Sequence, residues 1–133
     1  MPALTNLTDL LRALDPKLHD EDFVFCTVVG DLIEYLNLNP IATFKEQEGL
    51  TLILEKSRAR EAELDFDGTY KQISLSVHSS LTAVGLTAAV SSALASKGIS
   101  ANVVAAYYHD HIFVPATRAA DAVVCLNQLT ERT

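Results

Sequence analysis

Apolar positions divide the chain into short runs of changing period. Leu4, Leu7, Leu11 and Leu14 recur at helical spacing. They predict a leading helix capped by Thr5 or Asn6 and stopped at Pro16. Residues 17–22 are polar and read as a connector. Residues 23–29 are continuously apolar, which predicts a strand covered on both faces. Residues 31–36 fit one or two helical turns, and Asn37, Asn39 and Pro40 mark a turn behind them. Residues 41–46 and 50–55 alternate, and Gln47-Glu48-Gly49 joins them as a hairpin. Ser57 is placed to cap a short helix reaching about Leu64, and residues 65–69 form a turn.

The second half repeats this order. Ile73, Leu75 and Val77 alternate with Gln72, Ser74 and Ser76, predicting a half-buried strand. Leu86, Ala89, Val90, Ala93 and Leu94 form one helical stripe, and Gly98 ends it. A strand over 102–108, a tight turn at His109-Asp110 and a strand over 111–114 follow, with Pro115 as the stop. Thr117 is placed to cap a last helix whose inner face is Ala119, Ala122, Val123 and Leu126. From Tyr70 the order is β-α-β-β-α, a ferredoxin-like unit without its final strand. From Phe23 the order is similar. The pattern therefore predicts an α+β fold of tandem ferredoxin-like βαββα units, antiparallel sheets with helices on one face. The halves are expected at residues 1–65, with the leading helix, and 66–133.

Composition narrows the function. Ten basic residues stand against 17 acidic ones, a net charge of −7, where nucleic acid or an anionic membrane surface asks for a basic face. No apolar run approaches the roughly 20 residues that span a bilayer. Residues 1–10 lack the basic and apolar regions of a secretory leader, so a cytoplasmic location is expected. Cys26 lies in an apolar strand and Cys125 in a helix, without CxxC spacing. Both read as small buried hydrophobes in a reducing compartment.

Candidate chemistry centres on the junction between the strand at 71–77 and the next helix. His78, Ser79, Ser80 and Thr82 sit where unpaired backbone N–H groups favour a carboxylate or another anion. The competing reading is N-capping by Ser80 or Thr82. His109, His111 and His78 could assemble an open metal site, but no helical HExxH-type spacing accompanies them. Solvated residues at a hairpin tip are the commoner outcome. Ser79 next to His78 is not a catalytic pair, because neighbours on a strand point to opposite faces. No GxSxG or Walker-type loop is present. Of Tyr107 and Tyr108, one is expected to face the core. The reading is therefore a binding module with no cofactor, not an enzyme. A metal-dependent enzyme using His78, His109 and His111 is the minor alternative.

The runs Ser76-Val77-His78-Ser79-Ser80-Leu81, Val84-Gly85-Leu86-Thr87-Ala88-Ala89-Val90, Gly98-Ile99-Ser100-Ala101-Asn102-Val103-Val104-Ala105 and Tyr107 to Pro115 resemble an ACT domain, in particular small stand-alone bacterial proteins with two ACT-like halves. Many ACT domains carry Pro-Gly before the first helix, whereas this chain has Val84-Gly85. The resemblance implies a regulatory or sensor module that binds an amino acid or related metabolite and acts through oligomer or partner contacts. It implies a site at Ser79, Ser80, Val84, Gly85 and Leu86, together with Ala101, Asn102 and Val103, usually across a subunit or half interface. The hairpin lies close to that site in amino-acid-sensing members, which brings in Asp110 as the partner of a cationic group. Self-association to a dimer or a higher even oligomer is expected, with neither nucleic acid nor membrane as partner. The rival is a structural oligomerisation module of the same fold with no ligand.

Overall fold

The computed structural model describes residues 3–133, in two compact units. One spans Glu21–Tyr70. The other joins the residues up to Asp20 to Lys71–Thr133. Strand β1 (Pro16–Val28) runs from the second of these into the first.

In the Glu21–Tyr70 unit the strand order is β2 (Ala42–Lys45), β3 (Leu50–Glu55), β1. Both pairings are antiparallel, with Val24 opposite Leu54 and Phe44 opposite Thr51. Val24, Cys26, Val28, Leu50, Leu52 and Leu54 turn one face inward and meet Ala59 of helix α2 (Lys56–Glu61). The ambiguous run after β1 is a 3₁₀ helix at Leu32–Leu38, whose Leu32, Tyr35 and Leu38 rest on this core.

The other unit has the same plan. Its strands are β4 (Tyr70–Leu75), β6 (Asp110–Pro115) and β5 (Asn102–Ala105), with β5 outermost and antiparallel to β6. The first residues of β1 lie along β4, where Lys71 Nζ reaches the Asp20 carbonyl at 2.5 Å. Helices α1 (Leu7–Arg12), α3 (Leu86–Ser96) and α4 (Ala119–Glu131) pack together. Leu10, Leu14, Ile73, Leu75, Val90, Leu94, Ile112, Val114 and Leu126 fill the core. Both cysteines are buried and free.

Asn6, one of the two expected caps, accepts from Asp9 N–H at 3.1 Å, while Leu4 lies outside α1 in a β-bridge. Residues 17–22 belong to β1 and are not a connector. They are mostly exposed, so neighbouring backbone, not burial, holds them extended, and hydropathy carries no trace of that. The second face of β1 is only partly covered, since Thr27 is exposed. The strand expected over 102–108 ends at Ala105. The hairpin turns at Tyr107-Tyr108, closed by Ala106 N–H donating to His109 O at 3.1 Å. Asp110 is therefore the first residue of β6 and not part of the turn. Both tyrosines are exposed, where one was expected in the core. Ser57 and Thr117 cap nothing. Strand β3 runs straight into α2 and β6 reaches α4 through a 3₁₀ turn at Ala116–Arg118, leaving Glu55 and Arg118 at the cap positions without a side-chain capping bond.

Candidate functional site

Helix α3 opens at Gly85, which sits at φ 96°, ψ −14°. An L side chain rarely adopts that conformation, so the glycine sets the direction of entry into the helix. The first backbone bond of the helix is Ala89 N–H to Gly85 O at 2.9 Å. The N–H groups of Leu86, Thr87 and Ala88 therefore have no intrahelical acceptor, and they concentrate partial positive charge at this end. In front of them lies a cavity of about 170 Å³, lined by Ser79, Ser80, Gly85, Leu86, Ala105 and Asp110 among others.

Asp110 is the charged residue in that lining. It is 8% exposed and accepts a hydrogen bond from Ser79 Oγ at 3.2 Å. Ser80 Oγ bonds Thr82 N–H at 3.2 Å and Thr82 Oγ1 at 2.8 Å, so local capping does occur in the loop alongside the cavity. Above the hairpin, the Tyr108 ring lies 5.0 Å from Tyr107 and 5.1 Å from His78.

The other unit shows what is unusual here. Strands β3 and β6 have the same burial pattern along their six residues. The first position is Leu50 in β3 and Asp110 in β6. A cavity of about 340 Å³ occurs at the corresponding place in the Glu21–Tyr70 unit, between the loop after β1 and the β2–β3 hairpin. Leu50 lines it where Asp110 lines the other. A buried carboxylate where the sister unit places leucine is the informative exception to an otherwise apolar pattern.

Of the residues implied by the resemblance, Ser79, Ser80, Gly85, Leu86 and Asp110 come together around one cavity. Val84 points into solvent, 82% exposed. Ala101, Asn102 and Val103 sit towards the far end of β5 from Ala105, with Asn102 and Ala105 about 10 Å apart along the strand. Ala105 and Ala106 line the cavity and were missed, since a small apolar residue at a strand end carries no chemical signature.

His78, His109 and His111 do not converge. His109 Nδ1 donates to Val77 O at 3.2 Å, and its ring centre lies 6.4 Å from that of His78. His111 follows Asp110 on the strand and faces the other way. Its Nδ1 shares a hydrogen bond with Ser74 Oγ at 2.7 Å, and Ser74 shares another with His19 Nε2 at 2.7 Å. Among the described residues, no group of three His, Cys, Asp or Glu side chains could hold a metal ion. Burial, and then the neighbouring His109 and His19, push the His111 imidazole below its ordinary value, with Asp110 opposing. Burial, with Asp65 second, pushes the Cys26 thiol up, away from the reactive thiolate.

An ACT domain family matches residues 2–71, more than half of the sequence. The chain belongs to the ACT domain family. A second ACT domain match covers residues 68–128. A Vibrio cholerae protein of unknown function, described as a possible transport protein, is 52% identical to this ACT domain protein. That match covers 93% of this chain and 95% of the other, with a TM-score of 0.87. An Agrobacterium tumefaciens protein is 14% identical over 86% of this chain and 87% of its own, with a TM-score of 0.72. The ligand-free regulatory subunit of aspartate kinase from Thermus thermophilus is 13% identical over 88% of this chain and 97% of its own, with a TM-score of 0.67. At such identities these two show the shared fold. No curated protein matches the chain.

Proposed function

We propose that this ACT domain protein is a regulatory, non-catalytic module that binds an amino acid or a related metabolite in the cavity before α3. The observation that carries the reading is Asp110, a buried carboxylate in a cavity also lined by Gly85, Leu86 and Thr87 at the start of α3. Those two features are complementary to a zwitterion. A ligand carboxylate meets the N–H groups that open α3, and a cationic end meets Asp110. A basic side chain suits this pair best. The regulatory subunit of aspartate kinase, built on the same fold, supports the regulatory side of the proposal.

The proposal includes a homodimer or larger even oligomer. Asn102 and Val103 open the outermost strand β5 and Ala101 precedes it, none of them lining their own chain's cavity. The family resemblance gives that edge to a site shared with a neighbouring copy, where its carbonyl groups take the ligand's ammonium.

Thermal shift against the free amino acids tests the ligand. A ligand at 100 times its dissociation constant adds about 2.7 kcal/mol to the folded state. Selective stabilisation by a basic amino acid, lost in Asp110→Asn, is expected. A response that survives Asp110→Asn places the site elsewhere. No response to any amino acid leaves the fold as an interaction module.

A further inference from the structure

The cavity's loop has a back as well as a front. Behind it runs the segment that leads into α1. Leu4 N–H donates to His78 O at 2.9 Å, and Leu4 O accepts from Ser80 N–H at 2.9 Å. Together they form an isolated parallel bridge between Leu4 and Ser79. Leu7 reaches the other end of the loop, where a Cβ built on Gly85 would stand 3.1 Å from Leu7 Cδ2. Both leucines are partly buried on the core of their unit, and neither lines the cavity.

We propose that residues 4–7 form a strap that positions the ligand loop and is coupled to occupancy of the cavity. This rests on that cavity being the ligand site. Among the described residues, loop residues 79–84 make two hydrogen bonds outside the loop. Ser80 N–H bonds Leu4, and the Ser79 hydroxyl bonds Asp110. Ser79 thus joins the two sides, its backbone in the bridge to Leu4 and its side chain on the carboxylate proposed to hold the ligand's cation. A cation settling on Asp110 fixes the Ser79 hydroxyl in place, and that effect reaches the strap through the Ser79 backbone. Coupling is reciprocal, so if occupancy tightens the strap, weakening the strap lowers the affinity for that cation. Leu4 and Leu7 are therefore positioning residues.

Hydrogen exchange on the full chain tests the strap without any ligand. Leu4→Pro deletes the N–H that donates to His78, whereas Leu4→Ala keeps both backbone bonds and trims only the side chain. In Leu4→Pro, amides 80–86 are expected to exchange at least about tenfold faster, with the β5–β6 hairpin unchanged and Leu4→Ala close to wild type. Wild-type loop exchange in Leu4→Pro, or equal acceleration of the hairpin, overturns the proposal. If Leu4→Pro does not fold, Leu7→Ala takes its place, with acceleration expected at residues 83–86 and wild-type rates there overturning the proposal. L-lysine serves as the probe of coupling. Slower exchange at Leu4 in the wild type, and a half-saturating concentration raised about tenfold in Leu4→Pro, are the expected results. Protection of residues 79–86 without any change at Leu4 overturns the coupling. A probe that alters no wild-type amide counts against the ligand reading, and the ligand-free exchange rates still decide the strap.

Discussion

Replacing Gly85 by alanine separates a special backbone from an ordinary one. At φ 96° the residue lies beyond the left-handed region that L residues visit, near +50 to +70°. Entering left-handed space costs an L residue about 1–2 kcal/mol, and this position belongs at the upper end. The new methyl group would also meet Leu7 Cδ2 at 3.1 Å. That atom is the end of a flexible side chain, so it yields and adds only a fraction. The expected loss is about 2 kcal/mol, or about 8 °C in melting temperature for a chain of 133 residues. Gly98→Ala is the control. Gly98 has φ 69° with no atom within 4 Å of an added Cβ, so the backbone cost acts alone, about 1 kcal/mol and about 4 °C. Calorimetry and urea unfolding of both variants and the wild type provide the comparison. Gly85→Asn should recover part of the loss, since asparagine tolerates this region better. A Gly85→Ala protein as stable as wild type, or no less stable than Gly98→Ala, would refute the reasoning.

Three further outcomes are expected. The His111 imidazole is pushed below 6.5, so the unfolded chain takes up the proton at higher pH than the folded chain. From the lowered folded value up to 6.5 stability therefore rises with pH, and the contribution is complete above 6.5. Urea midpoints across this window should climb in the wild type and flatten in His111→Gln; parallel curves contradict it. Ile112 is fully buried, so Ile112→Ala should cost about 2–5 kcal/mol and Ile112→Val about 0.5–1.5 kcal/mol by urea unfolding. Equal losses would show that the core collapses around the gap. Light scattering at micromolar concentration should give at least twice the 14.4 kDa chain mass, and a monomer would remove the shared-site part of the proposal.

The fold was legible because most of its elements declare a period. The β2–β3 hairpin and the buried stripe of Leu86, Val90 and Leu94 in α3 follow from alternation and helical spacing. The first residues of β1 were not legible, because exposed Lys17 and Asp20 are extended by strand pairing and not by burial. The hairpin tip was misplaced by two residues. Tyr107-Tyr108 looks like strand and His109-Asp110 looks like turn, yet the bond between Ala106 and His109 puts the tyrosines at the tip. That shift moves Asp110 from a solvated corner to the floor of a cavity. The sequence resemblance pointed to Asp110, but its burial depends on register. Nothing in residues 4–7 announces their place behind the loop, since Leu4 and Leu7 read as ordinary helix positions.

One unit is assembled from the two ends of the chain, whereas the other is a single continuous stretch. During synthesis Glu21–Tyr70 is complete early and can gather its core from neighbours in sequence. Residues 3–20 emerge first but must wait for Ile73, Ile112 and Leu126 before Leu10 and Leu14 have anything to bury against. Until then the ribosome-bound chain carries an apolar segment without its partners, and a truncated product leaves it so permanently. The contacts that close this unit are also the longest in sequence. Arg12 Nε reaches the Thr133 carbonyl at 3.4 Å. Completion of this unit, and with it the cavity before α3, therefore waits for helix α4.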